Sequence, residues 1–324
     1  MRRWVLGAVT LACATAGCSS TEAAAPKPDE KKVPAVLTAK AALGDLHSLD
    51  ACSLIKPETF SKFGAVTYGR HHPWDRYSLE NCEVDVGITA PVTISAGRMH
   101  PIADISQLMA GEPVRTLDGD LSVVQGETGA DHCVQFVVFP DDLAMAVDAY
   151  VYEERTVTED LCGMVAAAVD GVVDVLVAGT VRHRELADNS FGLLDACDVA
   201  TSAGVAPVGM QAWPSGHRCV WTFDGDPSSI ELTFDSLVAT STLGEGIVDT
   251  EMEGRRTLSL PHDGSCEVWT EHIPVEIEDT SDSGYVETAT VTAYGSTENA
   301  RETTLLCLPA IDLARKVWPG LPAT

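Results

Sequence analysis

The chain has 324 residues, 45% of them apolar, and a formal net charge of −27 at pH 7. So large an acidic excess repels phosphate backbones, which excludes nucleic acid as a partner class and favours solubility. Once an N-terminal targeting segment and tether over 1–45 are set aside, about 280 residues remain, enough for two domains of ordinary size.

Arg2 and Arg3 make a short basic start. Residues 4–16 are uncharged and apolar, too few to span a bilayer as a mature helix, which needs ~20 residues. Residues 1–17 therefore read as a signal peptide. Thr15-Ala16-Gly17-Cys18 has the form of a bacterial lipobox, although Leu is usual where Thr15 stands. Cys18 then becomes the mature N-terminus, carrying diacylglyceryl and palmitate chains, and loss of Arg2 and Arg3 takes the charge from −27 to −29. Residues 18–45 read as this lipidated cysteine followed by a disordered tether of Ala, Pro, Lys and acidic residues. The tether holds Lys27, Lys31, Lys32 and Lys40.

With Cys13 and Cys18 set aside, eight cysteines remain: Cys52, Cys82, Cys133, Cys162, Cys197, Cys219, Cys266 and Cys307. The first four span the same distance as the last four, and local text agrees. Leu49-Asp50-Ala51-Cys52 recurs as Leu194-Asp195-Ala196-Cys197, and the segments around the other three cysteines match in the same order. This is an internal duplication, each copy long enough for its own core. It predicts a first domain over 46–178, a linker over 179–190 and a second domain over 191–324.

Within the first copy, residues 49–63 read as a short helix with Asp50 near its start. Cys82, Val84, Val86 and Ile88 alternate with polar residues, the pattern of a half-buried strand. A hairpin follows Cys133 and turns at Pro140-Asp141-Asp142. Leu161, Val165, Ala168, Val172 and Leu176 recur at helical spacing. The second copy repeats the plan, with Cys219, Trp221 and Phe223 on one strand face, a hairpin turning near residues 281–284, and Ala310, Leu313, Ala314 and Val317 on a last helix. Pro309 is tolerable there only in the first turn. The fold class expected is α+β: two tandem homologous domains, each an antiparallel sheet packed with an N-terminal and a C-terminal helix and stapled by two disulfides. Eight cysteines allow 105 pairings, but a shared plan keeps pairs within copies. Chain order then selects Cys52–Cys82, Cys133–Cys162, Cys197–Cys219 and Cys266–Cys307, each tying a helix to the sheet.

Cysteines at a helix start, on a strand, on a late strand and at the last helix, behind a lipobox and a Pro/Ala tether, resemble an actinobacterial secreted lipoprotein family whose cysteine-containing domain has no known function. The resemblance implies an extracytoplasmic place in the envelope and supplies no catalytic residues. It departs from the common form in having two copies.

Chemical motifs are sparse. Ser53-Leu54-Ile55-Lys56 has the S-x-x-K form, but its Ser-Asp-Asn and Lys-Thr-Gly partners are absent from the sequence. G-x-S-x-G, H-E-x-x-H, a P-loop, a dinucleotide fingerprint and C-x-x-C are also absent, so no catalytic residue, metal or cofactor is assigned. His71-His72 with Trp74 and Asp75, His132, and His262-Asp263 are polar loop candidates. Glu276, Glu278, Asp279 and Asp282 crowd a turn without EF-hand spacing. The reading that follows is a binding or interaction module, anchored by lipid to the outer face of the cell membrane, whose partner is an envelope protein or small molecule. Its rivals are a hydrolase-like envelope enzyme, with His71, His72 and Asp75 as its candidate constellation, and a purely structural component.

Overall fold

The computed structural model describes residues 36–68, 78–87, 91–109, 113–151, 159–205, 209–223, 226–240, 244, 246–262, 264–275, 284–295 and 303–323. Cys18, the segment from His71 to Asp75, Asp263, and the turn bearing Glu276, Glu278, Asp279 and Asp282 lie outside the described residues.

The first half contains helix α1 (Ala39–Leu43), strands β1 (Val66–Tyr68), β2 (Cys82–Val86) and β3 (Val92–Pro101), and helix α2 (Ile102–Ile105). It continues with β4 (Arg115–Thr116), β5 (Ser122–Thr128), β6 (His132–Val138), β7 (Leu143–Tyr150) and helix α3 (Leu161–Ala178). The second contains helix α4 (Ala196–Ser202), β8 (Met210–Ala212), β9 (Arg218–Phe223), β10 (Asp226–Val238) and β11 (Val248–Met252). It ends with β12 (Arg255–His262), β13 (Ser265–Pro274), β14 (Tyr285–Tyr294) and helix α5 (Thr303–Val317).

These strands form two seven-stranded sheets, ordered β1-β2-β3-β7-β6-β5-β4 and β11-β12-β13-β14-β10-β9-β8. Every pairing is antiparallel. Read from the other end, the second order is the first with each strand replaced by its counterpart, so the duplication extends to topology. Register agrees too: Cys82 faces Ala96 and Cys133 faces Ala149, while Cys219 faces Leu232 and Cys266 faces Ala293.

Asp160 starts α3 by accepting the Gly163 N–H at 2.9 Å, and Gly179, at φ +60°, ends it. The apolar face of α3 lies on β3, β6 and β7, while α5 lies on β12, β13 and β14. Two large apolar clusters result. Val84, Ile94, Val147 and Val172 belong to one; Leu232, Phe234, Val291 and Ala314 belong to the other. A small third one, Ile105, Phe136, Ala144 and Ala146, lies on the other face of the first sheet. The disulfides join Cys52–Cys82, Cys133–Cys162, Cys197–Cys219 and Cys266–Cys307, with separations of 30, 29, 22 and 41 residues.

Several expectations need correction. Leu37, Ala39 and Leu43 are buried in the first core, and the Leu37 N–H donates to the Gly119 carbonyl at 2.7 Å, so the tether ends before residue 37 rather than at 45. Its Ala-Leu pattern is a single helical turn capped by Thr38. Residues 49–63 form two 3-10 turns, Ala51–Leu54 and Pro57–Phe60, instead of one helix. Pro57 accounts for the break, because the residue before a proline is pushed out of the helical region, and Lys56 is extended at φ −101°, ψ 108°. In α5, Pro309 lies inside the helix, because the helix begins at Thr303 and not near Cys307. Proline supplies no N–H to the helical ladder, while packing on three strands holds the helix.

The segment 179–190 is bonded to both halves. The Asp50 N–H donates to the Arg182 carbonyl at 3.0 Å and the Arg184 N–H to Ser48 at 2.7 Å. At its far end the Phe191 N–H donates to Glu287 at 2.7 Å, and His272 Nε2 meets the Asn189 carbonyl at 2.8 Å.

Replacing Cys133 and Cys162 together by Ala should lower the stability of the unreduced protein by ~3 kcal/mol, mainly by freeing the unfolded chain. Urea unfolding without reductant measures this. A loss below about a third of that would show that the α3 contacts alone hold the helix.

Candidate functional site

β2 was expected to be half-buried, with its polar residues in solvent. Instead both faces are covered. Cys82, Val84 and Val86 enter the core, and on the other side Asp85 is buried and accepts the Thr93 hydroxyl at 2.8 Å. The second sheet repeats this arrangement. Glu231, Thr233 and Asp235 on β10 and Thr288, Thr290 and Thr292 on β14 alternate with core residues, yet all are buried. A carboxylate buried without partners would be prohibitively costly, so these faces carry a polar network.

The network is densest where the halves meet. Gly97, at φ +117° in the irregular stretch between Ala96 and Met99 of β3, lies against Ala51, so close that an added Cβ would fall 2.7 Å from the Ala51 Cβ. Arg98 and His100 follow it. The His100 ring is 4.7 Å from that of Trp213, which sits in the connection from β8 to β9. Arg218, at the start of β9, places its guanidinium 4.6 Å from the same indole. Its Nε and Nη2 donate to Glu231 Oε2 at 3.1 and 2.6 Å, and Tyr294 donates to Glu231 Oε1 at 3.3 Å. Further contacts cross the seam. The Ser215 hydroxyl donates to Glu80, the Leu79 N–H donates to Asp235 at 3.1 Å, and Gln211 donates to Asp104.

Burial shifts the acids and bases here. Desolvation raises the Glu80 carboxyl, against the lowering effects of the Ser215 hydrogen bond and of Arg98 and Arg218. Desolvation also raises Asp148 to about 6, with Arg98 opposing. It lowers His100 to about 4, helped by the same two arginines, and His217 to about 4. Arg98 thus acts on Glu80, His100 and Asp148 together. Asn81 Oδ1, Arg98 Nε and Trp213 Nε1 are buried atoms with no hydrogen-bond partner among the described residues.

Ser215 places its hydroxyl against the buried Glu80 carboxyl across this seam. No histidine accepts its proton: His217 Nε2 faces the Gly192 carbonyl at 3.0 Å, and the His217 N–H instead donates to Ser215 at 3.3 Å. The geometry is that of a joint, in which carboxylates of each half accept hydrogen bonds from neutral polar groups of the other.

The residues singled out from sequence lie elsewhere. Ser53 donates to the Asp50 carbonyl at 2.6 Å and accepts the Arg182 N–H at 3.0 Å, while Lys56 faces Asp174 at 3.7 Å, so the S-x-x-K pair is split between separate structural roles. His132 starts β6 in the first sheet and pairs with Asp131 at 2.9 Å, while His262 ends β12 in the second and is exposed. Glu80, Arg98, Asp148, Trp213 and Arg218 were not picked out. One signal existed: two places before the first strand cysteine of each copy stands a titratable residue, Glu80 before Cys82 and His217 before Cys219.

No protein-family model and no curated protein matches the chain. Two solved structures align with it. DynU16, a protein of the dynemicin biosynthetic locus, is 11% identical over 83% of this chain and 89% of its own, at a TM-score of 0.15. The di-domain ARO/CYC BexL of the BE-7585A biosynthetic pathway is 12% identical over 85% of this chain and 95% of its own, at 0.13. Neither likeness is close enough to carry an argument.

His217 is fully buried, and its Nδ1 has no partner among the described residues, so a second ring proton is disfavoured in the fold. Between its ordinary value of 6.5 and about 4 the unfolded chain binds the extra proton, and stability falls as pH drops through that window. Glu80 and Asp148, being raised, act in the opposite direction: their contribution is fullest at low pH and fades as pH rises through their folded values. His217→Gln keeps an amide N–H for Gly192 and removes the titration. Its stability loss between pH 7 and 4.5 should be smaller than wild type by on the order of 2 kcal/mol, read from urea midpoints. Equal losses would mean that His217 is not held neutral.

Proposed function

We propose that the chain is an extracytoplasmic lipoprotein, anchored through Cys18 to the outer face of the cell membrane, that works as a binding or interaction module. Its body would be two tandem α+β domains, each stapled by two disulfides. The observation that carries the reading is the pairing of all eight body cysteines into four disulfides. Such bonds persist in oxidising compartments and are rare in the cytosol, and here they follow a segment with the form of a signal peptide and lipobox. The seam favours recognition over turnover: its carboxylates accept hydrogen bonds across the joint, and His217 Nε2 faces the Gly192 carbonyl rather than Ser215.

A second reading, a hydrolase-like envelope enzyme, draws on the hydrogen bond from Ser215 to the raised Glu80 carboxyl. Hydrolysis of a chromogenic ester that disappears in Ser215→Ala would favour it.

Cys18→Ser tests the anchor. The variant should move from the membrane fraction to the soluble fraction and should no longer take up labelled palmitate. Membrane retention equal to wild type would overturn the assignment.

A further inference from the structure

The two sheets differ at one edge. In the first half the edge strand β4 is two residues long, Arg115–Thr116. Its counterpart β11 has five, Val248–Met252, and all but Met252 are exposed. Met252 and Arg255 pair across a two-residue turn in which Glu253 and Gly254 lie at φ +52° and +74°. Both central residues at positive φ make the turn that matches strand twist in tight hairpins, and in such a hairpin the closing pair exchanges both backbone hydrogen bonds. Alternation then gives Thr250 and Val248 the same inward role, opposite Thr257 and Ser259. The amides and carbonyls left for the open edge belong to Asp249 and Glu251.

Those residues also set the side-chain chemistry of one face. Asp249 is bound by Arg256 Nε at 3.0 Å, and Arg256 also reaches Glu271 at 3.2 Å. One guanidinium is thus shared by two carboxylates, with Glu251 and Glu253 beside them. Val248, Thr250 and Met252 occupy the other face. An open edge is ordinarily guarded against indiscriminate pairing, and charge is one guard. The charge also selects. A second copy pairing antiparallel about Thr250 would set Asp249 against Glu251 of the other chain, and like charges directly opposite are destabilising.

We propose that β11 is a strand-addition site for an extended segment of a partner protein in which basic and apolar residues alternate. The segment would hydrogen-bond to the backbone of Asp249 and Glu251, set its cations opposite their carboxylates and lay its apolar residues beside Val248 and Met252. The proposal rests on the interaction reading but not on the lipid anchor.

The test uses the full chain in detergent and a blocked, fluorescently labelled heptapeptide of alternating lysine and valine, read by anisotropy. Binding should saturate, and the glutamate–valine heptapeptide should not bind. Glu251→Lys should weaken binding at least tenfold. So should Glu251→Pro, which removes an N–H the hairpin does not use and is tolerated on an edge strand; circular dichroism confirms that both variants remain folded. Glu185→Lys, at an exposed acid remote in sequence from β11, should leave binding unchanged. No binding, or equal weakening by Glu185→Lys and Glu251→Lys, would overturn the strand-addition site. The anchored-module reading would still stand or fall on the Cys18→Ser fractionation.

Discussion

A residue on a β-strand faces one side of the sheet or the other, and in this chain the strand cysteines set that parity. Each is bonded to a cysteine at or near a helical segment. Cys133 ties β6 to α3, and Cys266 ties β13 to α5. The helix can then lie only on the face the cysteine enters, and every second residue of that strand is committed to the core. Val137 follows Cys133 at even spacing and is buried, as Val268 follows Cys266. The intervening positions are committed to the opposite face. The disulfide thus stabilises the fold and also fixes which side chains are left for anything other than packing.

The second face is the unusual part. An antiparallel sheet with helices on one side commonly leaves its other side wet. Here that side is buried at its centre in both halves: the first carries Asp85 and Ser95 beside an apolar cluster of Phe136, Ala144 and Ala146, and the second carries Glu231 and Asp235. Charges withdrawn from water need partners. Arg218 with Glu231, and Asp235 with the Leu79 N–H, supply them. The net worth of such a network is small, because desolvation offsets most of the attraction, but losing one partner is expensive, about 3–5 kcal/mol for a buried pair. That asymmetry suits a joint. It contributes little to stability when intact and penalises other arrangements of the halves.

Much of the architecture was legible in the sequence. The duplication could be read from cysteine spacing, and the β6–β7 turn at Pro140-Asp141-Asp142 from turn chemistry. The α3 face could be read from 3.6-residue periodicity, and the pairing of cysteines from chain order. What escaped has physical reasons. Residues 37–43 resemble the Ala-rich tether in composition, and only tertiary contact with Gly119 and the first core orders them. The 3-10 turns near Cys52 were hidden because an apolar pattern of that length fits one helix equally well, and Pro57 was underweighted. The seam was invisible because Arg98 and Asp148 fall on strands where polar residues would ordinarily meet solvent, and Glu80 lies before β2 in a stretch that reads as loop. Alternation reports which residues avoid the apolar core. It does not report whether the residues avoiding it reach water.

Duplication explains how the two halves could diverge without loss of fold. Each keeps the strand order and the cysteine parity, so each core stays consistent with its own staples. The second faces are then free to change, provided they change together. Asn81 in the first half corresponds to Arg218 in the second, and Ser95 to Glu231, since each of the four lies one residue before a matched core position. The first half thus offers a small amide–hydroxyl pair, joined at 3.1 Å, where the second holds a charged pair at 2.6 Å. The charged version lies against Trp213 and His100, within the contact between halves, and the neutral version is closed by Glu83 at 3.1 Å. The charge-assisted pair is therefore the one that lies within the contact between halves. Directional bonds restrict geometry more sharply than apolar contact, and with Glu80 and Asp104 on the first copy and Asp235 on the second accepting across the seam, such bonds help define how two otherwise similar sheets sit together.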